Sequence, residues 1–504
     1  MTTKIKKRGF VNRALDVVER VGNKLPDPFI MFAILTAVVI ALSAIFSLTG
    51  VSVLHPQDPT NRVEVFNLLS SKGLLRIFST IVSNFTGFAP LGTVLVVMVG
   101  LGVMEQSGLL AVSLRKLVLA VPRQAITATI VFAAVMSNLA TDAGYVVLVP
   151  LGAAIFASMG RHPIAGLAAA FAGVSGGFSA NLIITSLDPL LGGISEQAAR
   201  VIDPNFTFNV TGNWYFLVAS TFLIVAIGTI ITEKFVEPRL GKYSGATENI
   251  EKITEVENRG LRLAGLSLLI TTILLSLLIV LPNAPLRNMD NFVSSPFFTH
   301  LVPVLLIWFL VPGLVYGMAT KKITKPSDVT KMITVTIVDM SGFIALAFMA
   351  GQFVGFFTQS NLGLVMAVSG AEFLQALGLT GFGLVLLFMI ICAFVNLFIG
   401  SASAKWAIMA PIFVPIMMRL GYTPEFTQLA YRIADSSTNV ISPLMTYFAM
   451  IIAFAQKYDK NMRLGTLMSV MLPYSAAIFI FWSMLLFVWM LFNLPIGPGT
   501  GIFM

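Results

Sequence analysis

Five ionisable side chains, Asp142, Asp188, Lys405, Arg432 and Asp435, lie in or beside stretches made otherwise of apolar residues. A charge at the centre of a hydrocarbon-embedded helix costs roughly 2.5–3.5 kcal/mol on insertion scales, so such groups need partners or water and mark pathways for ions and polar solutes. Arg432 and Asp435 stand three residues apart, share one face of a helix and can pair. One carboxylate does not use all five donors of a guanidinium, which leaves donors for an anionic substrate. The same pair would also serve as a plain structural bridge. Ser436, Ser437, Thr438 and Asn439 follow at once, with Ser401 in the polar break before Lys405; their oxygens suit Na⁺, a hard cation. Ser137, Asn138, Ser179 and Asn181 form a second set of the same kind, although hydroxyls of this type also bond between helices. Trp406, next to Lys405, could stack on an aromatic ring or anchor its own segment.

These residues sit in a device written twice. VPLGAAIFASMGRHP (149–163) lies over APIFVPIMMRLGYTP (410–424) without gaps, so Pro150 falls on Pro411, Gly160 on Gly421, Pro163 on Pro424, and Tyr145 on Trp406. Each copy opens on a polar break, SNLATD (137–142) or GSASAK (400–405). Each leads after its proline into a helix that should break again, at GVSGGFSAN (173–181) or ADSSTN (434–439). Paired broken membrane segments in a repeat point to a transporter site, where half-helix ends and free carbonyls meet the ion and the substrate. Gly176 and Gly177 give the first of these breaks its freedom to open.

The elements that position them are membrane helices. Hydrophobic residues make up 57% of the 504 and charged residues 11%, against about a quarter in soluble proteins, and the mean hydropathy is +0.89. Spans of about 20 apolar residues are expected at 28–49, 88–107, 163–187, 213–232, 261–281, 300–320, 381–399, 425–455 and 464–492; the region 332–380 reads as two crossings or as one plus a surface helix, and carries Asp339 and Glu372. Residues 1–24 have no apolar core or cleavage site of a signal peptide.

Basic residues orient the chain. Seven lie in the N-terminal segment, and further groups stand at Arg115–Lys116–Arg123, in 234–262, at Lys321, Lys322, Lys325 and Lys331, and at Lys457, Lys460 and Arg463. All are expected on the cytoplasmic side. For Arg161 and His162 to share that side, 124–160 must enter and leave by one face, as a re-entrant hairpin with its tip near Asn138–Asp142. The connection 421–424 has no basic residue, so a second hairpin at 400–421 is expected to enter from outside. The expected organisation is a cytoplasmic N-terminus (1–27), a first membrane half (28–232), a cytoplasmic linker (233–262) and a second half (263–504).

Other functions are disfavoured. The net charge of +9 lies in short loops between spans, which is a membrane-orientation pattern and not a nucleic-acid surface. No Gly-x4-Gly-Lys-Ser/Thr run is present for nucleotide phosphates. Cys392 is the single cysteine, and His55, His162 and His300 never pair at ligand spacing, so no resident cofactor, metal cluster or enzyme site is expected.

The motifs GFAPLG (87–92), GRHPIAGLAAAFAGVSGGFSANL (160–182), NWYF (213–216), EPRLG (237–241), SASAKWAIMAPIFVP (401–415), RIADSSTNVISPL (432–444) and LPIGPG (494–499) together resemble the p-aminobenzoyl-glutamate transporter family, AbgT. The resemblance runs over almost the whole chain. It implies an all-α, dimeric, inner-membrane protein with nine transmembrane helices and two re-entrant hairpins in an inverted repeat, similar to dicarboxylate/sodium symporters. It further implies ion-coupled import of p-aminobenzoyl-glutamate or, alternatively, proton-driven export of sulfonamide antimetabolites. The family's functional positions fall on Asp188, Asn396, Ser403, Trp406, Arg432, Asp435 and Pro443; Lys405 departs from relatives that carry an uncharged residue there. On this reading Arg432 and Lys405 hold carboxylates and Trp406 holds the ring. Asp188 and Asp435 serve coupling, Asp188 being the one without a neighbouring cation, and Ser137, Asn138, Ser179, Asn181, Ser401, Ser437 and Asn439 hold Na⁺.

Overall fold

The computed structural model describes residues 26, 28–55, 58–120, 122–139, 144–243, 245, 253–281, 283–288, 295–299, 301–443, 445 and 447–504. Residues 140–143, which include Asp142 and part of the hairpin tip expected near Asn138–Asp142, His300 and the basic segment 1–24 lie outside them.

The chain is mostly helical. Its elements are α1 (Pro28–Leu48), β1 (Ser52–His55), β2 (Asp58–Glu64), α2 (Ser71–Thr86), α3 (Ala89–Gln106), α4 (Leu109–Leu119), α5 (Ile126–Met136), α6 (Val149–Ser158), α7 (Pro163–Phe171), α8 (Leu187–Ala199), α9 (Trp214–Ile231) and α10 (Glu237–Leu240). There follow α11 (Glu255–Val280), α12 (Pro296–Thr299), α13 (Leu301–Ala319), α14 (Pro326–Asp339), α15 (Ser341–Gln359), α16 (Leu362–Ala376), α17 (Gly381–Asn396), α18 (Ala402–Arg419), α19 (Pro424–Asn439), α20 (Phe448–Gln456) and α21 (Leu464–Leu491). Seven stretches among the described residues are long and apolar enough to cross a membrane. On α11, Leu266, Leu269, Ile270, Ile273 and Leu274 are exposed, an apolar face suited to hydrocarbon rather than water.

Three features differ from the sequence expectation, and a fourth fills in a region it left open. The antiparallel hairpin β1–β2 means that the chain is not purely helical. Helix α2 was not expected, because Arg76, Ser79, Thr80, Ser83 and Asn84 dilute its hydropathy; its apolar residues Leu75, Phe78 and Val82 face outward, while Asn84 meets Gln352 and Gln359 of α15 at 3.1 Å each. The region 332–380, open between two crossings and one plus a surface helix, holds the end of α14 and the two helices α15 and α16. The polar break of the second copy joins α17 to α18, and residues 402–419 form one helix, Pro411 and Pro415 included, so 400–421 is not a hairpin by itself.

The two copies share their turn chemistry. Gly160 and Gly421 both adopt positive φ, 72° and 88°, where a side chain would be strained, and each closes the helix before it. Pro163 and Pro424 then open α7 and α19 at a position where the missing N–H costs nothing. His162 Nδ1 accepts from the Ile164 N–H at 3.3 Å and Thr423 Oγ1 from the Phe426 N–H at 3.3 Å, capping the new helices.

Small residues let α7 become the core of the molecule. All nine of its residues are buried; Gly166 crosses Gly152 of α6, and Gly173 in the π turn that follows sits on the Val131 carbonyl of α5. Around this centre α9 and the π turn that continues it are joined to α21 by Thr232 and Tyr474 at 2.6 Å and by the Trp482 indole donating to Ser220 at 2.7 Å. Helix α19 is buried along all sixteen residues, though its sequence is polar. Burial of that polarity is what the surrounding elements are arranged to satisfy.

Candidate functional site

Two buried ion pairs bracket α19. Arg432 donates from Nη1 to Asp188 Oδ1 at 2.6 Å, and the other Asp188 oxygen accepts from the Thr185 N–H at 2.6 Å and hydroxyl at 3.0 Å. Three residues on, Asp435 Oδ1 pairs with the Lys405 ammonium, which also donates to Asn396 Oδ1. The expected local pair of Arg432 with Asp435 is therefore replaced by pairs to α8 and α18, and Asp188 does have a cation beside it. The physical reason is charge accounting. A local pair would strand Asp188 and Lys405 in the interior, and one unpaired buried charge costs about 3–5 kcal/mol.

The remaining polar atoms are tightly committed. The two N–H donors of Asn396 Nδ2 are shared among the Asp435 carbonyl at 2.7 Å, Thr438 Oγ1 at 2.7 Å and Asn439 Oδ1 at 2.9 Å, while Ser442 Oγ donates to the Asn396 carbonyl at 2.8 Å. Asn439 Nδ2 in turn reaches Asp435 Oδ2 at 3.3 Å. Helix α19 runs unbroken through ADSSTN, and the break begins at Val440, directly after the stretch expected to break; Pro443 lies in it. Asn396 was suggested by the family resemblance alone, since nothing in its apolar surroundings singles it out.

Lys405 and Trp406 have no exposed surface. The Trp406 indole lies on Tyr431, ring centroids 4.5 Å apart, and donates to Ser195 Oγ at 2.9 Å.

The first break behaves differently. Asn138 Oδ1, Ser179 Oγ and Asn181 Oδ1 are buried acceptors without a hydrogen-bond partner among the described residues. Asn138 Nδ2 donates to the Gly177 carbonyl at 3.3 Å, two residues before Ser179, and the Ser179 N–H donates to Ser436 Oγ of α19 at 3.1 Å. Ser137 and Ser437 instead donate to their own helices, to Ala134 and Ile433, and Ser401 caps α18 by accepting from Ala404.

A cavity of about 270 Å³ lies where the two breaks meet, with Asn138, Ser401, Ser403 and Asn439 as polar walls and Tyr145, Phe178, Phe343 and Tyr447 as aromatic ones. Tyr145 and Tyr447 stack at 4.6 Å with planes 15° apart. A second cavity of about 320 Å³ shares Phe343, Ser401 and Ser403 with the first and reaches Pro28 and Phe29 of α1. Tyr145 joins the site residues here, and its alignment with Trp406 in the repeat is the signal for it in the sequence.

The sequence matches the profile of the AbgT putative transporter family over residues 13–504. The chain belongs to the AbgT family. It is 40% identical over 485 residues to the p-aminobenzoyl-glutamate transport protein of Escherichia coli (strain K12), covering 96% of this chain and 95% of that one. Among solved structures it is similar to the YdaH transporter of Alcanivorax borkumensis, whose crystal structure is described as having an unusual topology (TM-score 0.90, 44% identity, 94% of this chain and all of that one). It is equally similar to Neisseria gonorrhoeae MtrF, described as illuminating a class of antimetabolite efflux pumps (TM-score 0.91, 44% identity, 97% of this chain and all of that one). The AbgT family and these relatives are transporters, and the apolar helices make this chain a multi-pass membrane protein.

Proposed function

We propose that this AbgT protein is a cation-coupled secondary transporter, not an enzyme, that moves p-aminobenzoyl-glutamate or a similar aromatic amino-acid conjugate across the cytoplasmic membrane. The observation that carries this is the cavity between the two breaks, lined by both aromatic and polar side chains, with Leu187, the neighbour of Arg432's partner Asp188, in its wall. The ligand has the same division: a flat ring and two carboxylates. Arg432 Nε has no partner among the described residues, so its guanidinium, oriented by Asp188, keeps donor capacity for a carboxylate. Ser403 on the cavity wall completes the proposed substrate region, while Asn396 and Asp435, committed to Lys405, and Pro443 in the second break support it from behind. With Trp406 turned inward, Tyr145, Tyr447 and Phe178 are the better ring surface.

The coupling ion is Na⁺ on this reading. Asn138 Oδ1, Ser179 Oγ and Asn181 Oδ1 are the unsatisfied buried oxygens that a hard monovalent cation would take. Helix α17, at 16 residues about 24 Å long, falls short of a bilayer core of about 30 Å, as does the ten-residue α6; both suit re-entrant limbs. We therefore infer two halves, 28–232 and 263–504, joined by the linker 233–262. Each carries a hairpin, in inverted orientation, in a nine-crossing homodimer of the dicarboxylate/sodium symporter kind. The similarity to MtrF favours a second reading, proton-driven export of sulfonamide antimetabolites through the same cavity. Calorimetric titration of the purified protein with p-aminobenzoyl-glutamate, and then with a sulfonamide, tests the assignment; saturable binding of the first, strengthened by Na⁺, is expected, and binding of the sulfonamide alone would favour export.

A further inference from the structure

Among the described lysines only Lys405 is buried, and it is buried completely. An ammonium is a compact point charge with three donors and no acceptor. The two oxygens that meet it, from the Asn396 amide and the Asp435 carboxylate, come from different helices, α17 and α19, while the lysine stem enters from α18. The orientation of Asn396 is set: its amide nitrogen, with two N–H donors, faces three acceptors, the acceptor-only Asp435 carbonyl among them, so its oxygen faces the cation. A pre-oriented amide oxygen beside a carboxylate is also the donor set of a hard monovalent ion.

The hairpin does not require a lysine here. Displacement by 261 residues puts Lys405 on Gly144, which follows the first polar break and presses on Ser137. The copy with glycine has three unsatisfied oxygens in its neighbourhood; the copy with lysine has its carboxylate and amide oxygens occupied.

We propose that the Lys405 ammonium is a tethered cation, filling between Asn396 and Asp435 a site that would otherwise take a free alkali ion. The second repeat then binds no free Na⁺, and removal of the tether uncovers a site there. The inference deepens the cation-coupled reading but is read from a difference between variants, so the two fail separately.

The test is equilibrium binding of radiolabelled Na⁺ to the purified full-length protein, in wild type, Lys405→Ala and Lys405→Ala/Asp435→Asn. Lys405→Ala should gain one Na⁺ per chain over wild type, and the double variant should lose it again. Equal Na⁺ stoichiometry in wild type and Lys405→Ala, or an added site that survives Asp435→Asn, overturns the proposal. If Lys405→Ala is unstable in choline chloride, Na⁺ must restore its melting temperature saturably; an instability that Na⁺ leaves unchanged also overturns it. Absence of Na⁺ binding to the wild type would count against the coupling reading alone.

Discussion

Trp406 lies flat against Tyr431, with ring centroids 4.5 Å apart and planes 24° apart, and its indole N–H is spent on Ser195. The indole thus clamps α18 to α19 and α8. Trp406→Ala should destabilise the protein by roughly 3–5 kcal/mol, the usual range for emptying a buried aromatic site. It should weaken p-aminobenzoyl-glutamate and free glutamate by the same factor. Thermal melting together with affinities for both ligands checks this; a loss confined to the ring-bearing ligand would put the indole in the substrate site.

The ring-binding role passes to the aromatic wall of the cavity. Tyr145→Ala and Tyr447→Ala should each weaken p-aminobenzoyl-glutamate, by about 0.5–1.5 kcal/mol beyond the area lost, and change free glutamate little. Phenylalanine at either position should recover most of the loss. Competition binding with the two ligands measures both effects.

Turns and helices were legible in the sequence where the cause is local. Composition gave the helical membrane class, and Gly160 with Pro163 and Gly421 with Pro424 marked the matching turns, because a positive-φ glycine and a helix-opening proline act within a few residues. The pairings were not legible. Arg432 meets Asp188 across 244 residues, and nothing near either in sequence could outweigh the local alternative three positions away. Helix α2 escaped because its polar face meets polar residues of α15 and only half its surface is apolar.

The Asp188–Arg432 pair makes a testable energetic statement. Asp188→Asn leaves a buried guanidinium without its counter-charge and should cost about 3–5 kcal/mol, whereas Asp188→Leu/Arg432→Met, which removes both charges, should recover most of that stability. The double variant should still fail to bind the glutamate carboxylates. Melting curves and binding of the three proteins distinguish a substrate-holding guanidinium from a purely structural bridge.

His162, in the turn between α6 and α7, adds a pH dependence. Burial holds its pKa below the ordinary value of 6.5, outweighing the carboxylates of Glu237 and Asp459, and its Nδ1 must stay unprotonated to cap α7. The unfolded chain takes up this proton first, so the contribution to stability is complete above pH 6.5 and is lost as pH falls from there towards the lower folded value. Melting temperature should fall over that interval, and His162→Asn, which keeps a cap acceptor and cannot titrate, should flatten that part of the curve.

The central claim is transport driven by a cation gradient. Its most direct test is uptake of labelled p-aminobenzoyl-glutamate into proteoliposomes of the purified protein, with Na⁺ and pH gradients imposed separately. An inward Na⁺ gradient should give saturable accumulation above the external concentration, with Asn138→Ala and Asn181→Ala raising the Na⁺ needed for half-maximal uptake. Uptake that only equilibrates under every gradient, or that accumulates under a pH gradient and ignores Na⁺, would contradict the account.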